Sequence, residues 1–132
     1  MRATVRRHEI IDAPADEAWA LVARADALHE WFPGIVSSSV EGDVRTIITA
    51  AGIPLFETIV ANDPLQRRFQ YRVAGGFFKE HLGTVDVIPL DADRCIVTYS
   101  SDCDPAPMAL VLGGATGAAL KCLKARLEGA PD

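Results

Sequence analysis

Apolar and polar residues alternate with a period of two along most of the segment between Ile35 and Cys103, a pattern typical of half-buried β-strands. Turns rich in Gly, Pro, Asn and Asp divide this segment into six predicted strands. Ala3–Ile11, rich in β-forming residues, is predicted as a strand before them. Strands joined by short turns indicate an antiparallel meander. The six are Val36–Val40, Val44–Ala50, Pro54–Ala61, Gln66–Val73, Phe78–Pro89 and Arg94–Cys103.

Two short helices are predicted between the first and second strands. Asp12-Ala13-Pro14 opens the first, because proline at the first helical position loses no N–H that the helix needs. Asp16 and Glu17 follow in the first turn, where the helix dipole favours anions. The second short helix fits Ala25–Phe32 and stops at Pro33-Gly34.

A long helix is predicted over Pro107–Glu128, with basic residues in its last turns and Gly129 as its terminator. At 1.5 Å per residue it is about 33 Å long, enough to cross a small sheet. Its apolar face therefore has an obvious place to be buried, against the concave side of a twisted sheet.

Length and composition indicate one globular domain over residues 1–132, with 49% hydrophobic and 23% charged residues. The formal charge of −5 argues against nucleic-acid binding, which needs a basic face. The apolar run within Ala106–Leu120 is too short for stable membrane insertion, and the N-terminus lacks the apolar region of a signal peptide. Three cysteines without CxxC spacing favour a reducing, cytoplasmic setting, and the excess of Arg over Lys is typical of a GC-rich bacterium.

The order of these elements resembles the helix-grip fold of the START/Bet v 1-like (SRPBCC) superfamily. The residues that carry the resemblance are Ile10–Val22 at the first strand-to-helix junction, Leu28–Gly42, Phe56–Val73 and His81–Pro105. They are most similar to the polyketide cyclase/dehydrase-like branch. The resemblance implies an α+β fold in which a curved seven-stranded antiparallel sheet wraps around the long C-terminal helix. The superfamily includes cyclases, aromatases, lipid carriers and hormone receptors, so the fold alone does not assign a function.

A helix gripped by a curved sheet leaves a space whose walls are the inward-facing strand positions. In the predicted sixth strand, Val85 and Val87 mark the inward parity, which also carries His81 and Lys79. The same alternation groups Tyr71 with Phe69 and Val73 on one face of the predicted fifth strand. It also groups Tyr99 with Val97 on one face of the predicted seventh strand. Hydrophobicity leaves the fourth strand ambiguous; the resemblance implies that Glu57 faces the cavity and that His81 stands where relatives often carry a tyrosine.

The candidate site is thus a mostly apolar cavity with Glu57, His81, Tyr71, Tyr99 and Lys79 as its polar groups. A histidine titrates near neutrality, so His81 could transfer a proton, with Glu57 orienting it or acting alone. The alternatives are a strand histidine at the rim, a Glu57 paired with Arg45 or Arg72, and a Lys79 that is a solvated charge.

The last helix carries Gly113, Gly114 and Gly117 in its middle, which indicates close packing against the sheet, room for a ligand, or both. On the same helix Met108, Leu112 and Thr116 are predicted to contact a ligand. The three histidines lie on separate elements without metal spacing, so neither a metal nor a cofactor is predicted.

Binding of a small hydrophobic or aromatic molecule, such as a lipid or a polyketide-like metabolite, is the function these observations favour. The alternative is a cofactor-free polyketide cyclase or dehydratase that uses His81 and Glu57 as acid–base groups. A packed interaction module without a cavity stays open, and the protein is expected to be a monomer or homodimer.

Overall fold

A computed structural model describes residues 1–73 and 75–129 of the chain. Within these ranges a seven-stranded sheet is combined with two α-helices and one 3₁₀ helix, so the predicted α+β helix-grip fold is confirmed. In chain order the elements are β1 (Ala3–Ile11), α1 (Ala15–Val22), the 3₁₀ helix (Ala25–Glu30), β2 (Ile35–Glu41), β3 (Val44–Thr49), β4 (Pro54–Asp63), β5 (Arg68–Val73), β6 (Glu80–Pro89), β7 (Cys95–Asp104) and α2 (Met108–Leu127).

The sheet has the strand order β1-β7-β6-β5-β4-β3-β2, and every neighbouring pair is antiparallel. Strands β2 to β7 form the predicted meander, and β1 closes onto β7 at the far edge. The chain crosses from the β1 edge to the β2 edge through α1 and the 3₁₀ helix, which pack against β6 and β2 respectively. Both short helices therefore lie over the sheet between its two edges.

The helix boundaries follow from local backbone geometry. Pro14 has the extended ψ of 146°, so α1 begins at Ala15, one residue later than the sequence predicts. The second short helix is a 3₁₀ helix that ends at Glu30, before the predicted Phe32. Gly129 has a φ of +74°, in the left-handed region that glycine adopts without strain, and it follows the last turn of α2 as predicted.

The long helix α2 packs against β1 and β7 and contributes three fully buried apolar residues, Ala119, Leu120 and Leu123. By length and composition α2 could cross a membrane, but here its buried face completes the core of the domain. Packing of one helix face against a sheet accounts for the many apolar residues of α2 without a bilayer.

The glycines of α2 accommodate a side chain from β1. A Cβ on Gly113 would lie 2.7 Å from Nη2 of Arg7 and 2.9 Å from Cγ2 of Val5, and a Cβ on Gly117 would touch Arg7 at 3.5 Å. A Cβ on Gly114 would meet no atom within 4 Å. Gly113 therefore allows close packing of α2 on β1, whereas a Cβ at Gly117 would make only an ordinary contact. Neither position faces open space for a ligand.

Candidate functional site

One row of inward-facing residues crosses four neighbouring strands. The sheet register pairs Arg45 of β3 with Glu57 of β4, and Glu57 with Val73 of β5. Strands β5 and β6 pair as far as Tyr71 and Gly83, so the next position of that register sets Val73 opposite His81. Directly opposed residues have Cβ atoms about 4.5–5.5 Å apart. The sheet thus brings Arg45, Glu57 and His81 into a single lateral row.

The main-chain ladder between β5 and β6 stops at this row. The N–H of Val73 donates its hydrogen bond to Nδ1 of the His81 side chain, at 3.1 Å. The imidazole ring therefore takes the place of the carbonyl that would continue the ladder. Beyond Tyr71 and Gly83 the two strands no longer pair, which leaves an opening beside Val73 and His81.

A cavity of about 330 Å³ lies at this opening, between the sheet, the 3₁₀ helix and the first turns of α2. Its volume is at the lower end of the range for small-molecule sites, about 300–1,000 Å³. Three of its wall residues, Glu57, Tyr71 and His81, carry polar side chains, and the rest of the wall is apolar or glycine. The wall consists of Leu28, Phe32, Ile35, Leu55, Glu57, Tyr71, Val73, Gly75, Gly76, Phe77, Phe78, His81, Met108 and Leu112.

Glu57 in the cavity wall forms a buried ion pair with Arg45, which lies behind it. Nε of Arg45 lies 2.7 Å from Oε1 of Glu57, and the two residues are only 2% and 5% exposed. The guanidinium also stacks over the rings of Phe69 and Tyr71, 5.2 and 5.1 Å from their centres, and donates to the carbonyl of Ala25 at 3.3 Å. Burial raises the pKa of the Glu57 carboxyl, and the attraction of Arg45 opposes that rise only in part.

The hydroxyl groups of Tyr71 and Tyr99 share a buried hydrogen bond. Gly83 makes room for the Tyr71 ring, because a Cβ at Gly83 would lie 2.5 Å from Cζ of Tyr71. Burial raises the pKa of both phenols above the usual value, so both stay protonated at neutral pH. One of the two hydroxyl groups donates its proton to the other in this hydrogen bond. The proton of the accepting hydroxyl is not used in the bond, so the pair keeps one proton that it can donate.

His81 is held between two aromatic rings, with its ring centre 5.5 Å from that of Tyr71 and 5.0 Å from that of Phe78. The residue is 5% exposed. Burial lowers the pKa of the imidazole to about 4, although the charge of Asp102 acts in the opposite direction. His81 is therefore neutral at pH 7. The residue type predicts titration near neutrality, and burial moves the pKa of this ring well below that range. Because Nδ1 accepts the Val73 N–H, the ring proton resides on Nε2.

Five of the eight predicted site residues lie in the cavity wall, namely Glu57, Tyr71, His81, Met108 and Leu112. The other three do not. Tyr99 reaches the site only through its bond to Tyr71, and Thr116 is 2% exposed within α2, away from the wall. Lys79 is exposed and lines an adjoining charged cleft of about 360 Å³, which it shares with Arg2, Arg72 and Glu80 and which also reaches His81.

The sequence interpretation missed several contributors to the site. Arg45 was considered only as a partner for Glu57, yet its guanidinium also supports the Tyr71 ring. Its parity with the apolar Ile47 in β3 was the available signal that it faces inward. Phe77 precedes the predicted strand, and the alternation of Phe78–Pro89 sets Phe78 on the face opposite Lys79 and His81, yet both phenylalanines line the cavity. Among residues 1–73 and 75–129, no group of three His, Cys, Asp or Glu side chains could hold a metal ion.

Comparison with solved structures shows the same fold over nearly the whole chain. A START superfamily protein from Mycobacterium smegmatis is 17% identical with a TM-score of 0.81, covering 96% of this chain and 97% of that one. Norcoclaurine synthase from Thalictrum flavum, solved with dopamine and hydroxybenzaldehyde, is 15% identical with a TM-score of 0.77, covering 100% and 90%. At these identities the likeness establishes the fold.

A two-domain aromatase/cyclase, BexL of the BE-7585A biosynthetic pathway, gives a TM-score of 0.83 at 23% identity, covering 96% of this chain and 46% of BexL. No curated protein matches the chain at a significant level. The sequence does match a family of known description, over residues 2–128. The chain therefore belongs to the polyketide cyclase/dehydrase and lipid transport family.

Proposed function

We propose that this protein binds a small, mainly apolar or aromatic molecule in the cavity between the sheet and α2. The observation that carries the proposal is a cavity of about 330 Å³ whose wall is apolar except for Glu57, Tyr71 and His81. Apolar walls with a few fixed polar groups are the usual make-up of small-molecule sites, because burial supplies affinity and the polar groups supply orientation. The family to which the chain belongs includes lipid transport in its description, which agrees with this function.

Binding of the neutral fluorescent naphthalene Prodan tests the proposal, since its emission shifts to the blue in an apolar site. Leu112→Trp fills the cavity from α2 and is expected to weaken Prodan binding by about tenfold or more. The matched control is Leu110→Trp on the same helix, where the native side chain is 82% exposed. The proposal fails if Prodan does not bind, or if both variants bind it equally well. Native mass spectrometry of the purified protein adds the identity of any co-purified compound.

A cofactor-free cyclase or dehydratase is the second candidate, and the raised pKa of Glu57 at the cavity wall favours it. A carboxylate of raised pKa is a stronger base. Ring closure of a poly-β-ketone needs one base to take a proton from carbon and one donor to the oxyanion that forms, and the Tyr71 hydroxyl in the apolar wall is a donor. Incubation with a linear poly-β-ketone thioester, followed by mass spectrometry, tests this activity. Glu57→Gln is expected to abolish turnover and keep Prodan binding; unchanged turnover would exclude Glu57 as the base.

A further inference from the structure

Strand β2 forms one edge of the sheet, and its regular part is unprotected. After an irregularity between Ile35 and Ser37, the strand pairs evenly with β3 as far as Glu41. This stretch contains no lysine, arginine or proline, and three consecutive serines at 37–39 add little side-chain bulk. Proteins usually place charges or prolines on an edge strand, because its free N–H and C=O groups can pair with another chain. The regular part of β2 is therefore open to a further strand.

The opposite edge of the sheet, β1, is protected. Its middle carries the charged side chains of Arg6 and Arg7, followed by His8. Near its end the carbonyl of Ile10 accepts a hydrogen bond from Nζ of Lys124 at 2.6 Å, and α2 packs along the strand. Pairing of the sheet with another chain is therefore expected at β2 and not at β1.

Ser38 and Val40 direct their main-chain groups away from β3. The N–H of Thr49 in β3 donates to the carbonyl of the residue before β4, at 3.0 Å. Since successive residues of a strand bond to alternate sides, Thr46 bonds toward β2, where the register sets it opposite Ser39. The two neighbours of Ser39 therefore point to the open edge. In the described part of the chain, neither of them has a main-chain bond outside the sheet ladder.

We infer that β2 is a dimer interface, at which the β2 strands of two copies of this chain pair antiparallel about a twofold axis at Ser39. In this register Ser38 of each copy lies opposite Val40 of the other. These are the residues whose main-chain groups face outward, and each such pair exchanges two N–H···O bonds. The two sheets then form one continuous sheet. This interface is separate from the cavity and does not depend on the ligand that the cavity binds.

The charge of the edge favours a second copy as its partner. The axis at Ser39 sets Glu41 of each copy opposite Ser37 of the other, so the two carboxylates lie four residues apart along the strands, or about 13 Å. That separation exceeds the screening length of about 8 Å at physiological ionic strength. The edge is thus complementary to itself, as a twofold interface requires, and twofold dimers are the commonest oligomers.

Sedimentation velocity between about 5 µM and about 500 µM tests the inference, since dimerisation depends on concentration. The native protein is expected to change from monomer to dimer over this range. Val40→Lys places a charge on the edge and is expected to weaken dimerisation about tenfold or more. The matched control is Val44→Lys, because Val44 is 38% exposed against 40% for Val40 but belongs to the inner strand β3. This control is expected to dimerise as the native protein does.

A second measurement uses the native protein alone, so it does not depend on the folding of a variant. Amide hydrogen exchange is followed by nuclear magnetic resonance in dilute and in concentrated solution. The amides of Ser38 and Val40 are expected to exchange about fivefold or more slowly in the concentrated sample, because pairing with the second copy covers them. The amide of Ser39, which bonds to β3 in the monomer, is expected to change much less.

Three results would overturn the inference. The first is a protein that stays monomeric up to about 500 µM. The second is a dimer in which the exchange of Ser38 and Val40 is the same as in the monomer. The third is a dimer that Val40→Lys and Val44→Lys weaken equally, because the interface would then lie on the face of the sheet that carries Val44.

Discussion

Nε of Arg45 lies 2.7 Å from Oε1 of Glu57, and their side chains are 3% and 6% exposed. Because both charges are desolvated, removal of one leaves the other buried without compensation. Arg45→Met, which keeps the aliphatic stem, is expected to lower the free energy of unfolding by about 3–5 kcal/mol. Urea denaturation at neutral pH measures the change.

Two further variants give this prediction its controls. The double variant Arg45→Met, Glu57→Met is expected to be more stable than Arg45→Met, since replacing both charges of a buried pair by apolar groups is often neutral. Arg94→Met breaks the exposed pair with Asp91 and should leave the stability nearly unchanged. An Arg45→Met variant as stable as Arg94→Met would show that the buried charges do not depend on each other.

The cost of Arg45→Met is expected to depend on pH through Glu57. The pKa of Glu57 is raised in the folded protein, so its contribution to stability is present below the ordinary value of 4.5 and is lost as pH rises through the folded value. Without Arg45 that pKa rises further. The destabilisation should therefore be larger at about pH 7.5 than at about pH 5, as measured by urea denaturation at both. A cost that is equal at both pH values, or larger in acid, would contradict this.

The low pKa of His81 predicts a pH dependence of the opposite sign. The folded value is about 4 and the ordinary value is 6.5, so the unfolded chain binds the extra proton between them. The stability from neutral His81 is present above pH 6.5 and is lost as the pH falls through about 4, by up to about 3 kcal/mol in total.

Urea denaturation between these pH values, compared with His81→Phe, isolates this contribution. His81→Phe is expected to lose less stability in acid than the native protein, whereas a control, His8→Phe at an exposed position of β1, should follow the native curve. The ring resonances of His81 in nuclear magnetic resonance should titrate near pH 4. A midpoint near the ordinary value would show that burial does not hold the ring neutral.

The fold was predictable because its signals are local. Turn residues place every strand within a few residues of its observed bounds, and strand parity sets Tyr71 and His81 on the inner face. Parity leaves the fourth strand ambiguous, so the inward position of Glu57 comes from the family resemblance instead. Parity does not extend beyond a strand, however. Lys79 was assigned inward by continuing the alternation of β6, but β6 begins at Glu80, so Lys79 is free to face solvent.

Other parts of the site depend on contacts between distant residues, which parity cannot supply. Strand parity and the apolar stripe of a helix give the face of a residue but not its distance from a cavity. Tyr99 on β7 and Thr116 on α2 therefore lie inside the domain without lining the wall. Burial holds His81 neutral. The nitrogen that carries its proton is set by the N–H of Val73, eight residues away on the neighbouring strand. The groups that meet at the site are thus set by the register of strands β3 to β6 and by the point at which β5 and β6 stop pairing.

Gly83 is predicted to be essential for the position of Tyr71. The two residues face each other across β5 and β6, and a Cβ at Gly83 would lie 2.5 Å from Cζ and 2.9 Å from the hydroxyl oxygen of Tyr71. Gly83→Ala should displace the ring, break its bond to Tyr99 and cost about 1–3 kcal/mol in thermal or urea denaturation. Prodan affinity should fall as well, because the Tyr71 ring forms part of the cavity wall.

Gly114→Ala is the matched control for Gly83→Ala. Its added Cβ would meet no atom within 4 Å, and it lies in the middle of α2. Alanine is the better helix former, so this variant is expected to gain up to about 1 kcal/mol and to bind Prodan as the native protein does. Gly83→Ala is expected to lose stability because its Cβ clashes with Tyr71, whereas Gly114→Ala adds a Cβ that meets no atom. Equal stability of the two variants would therefore contradict the close approach of Tyr71 to the backbone of β6.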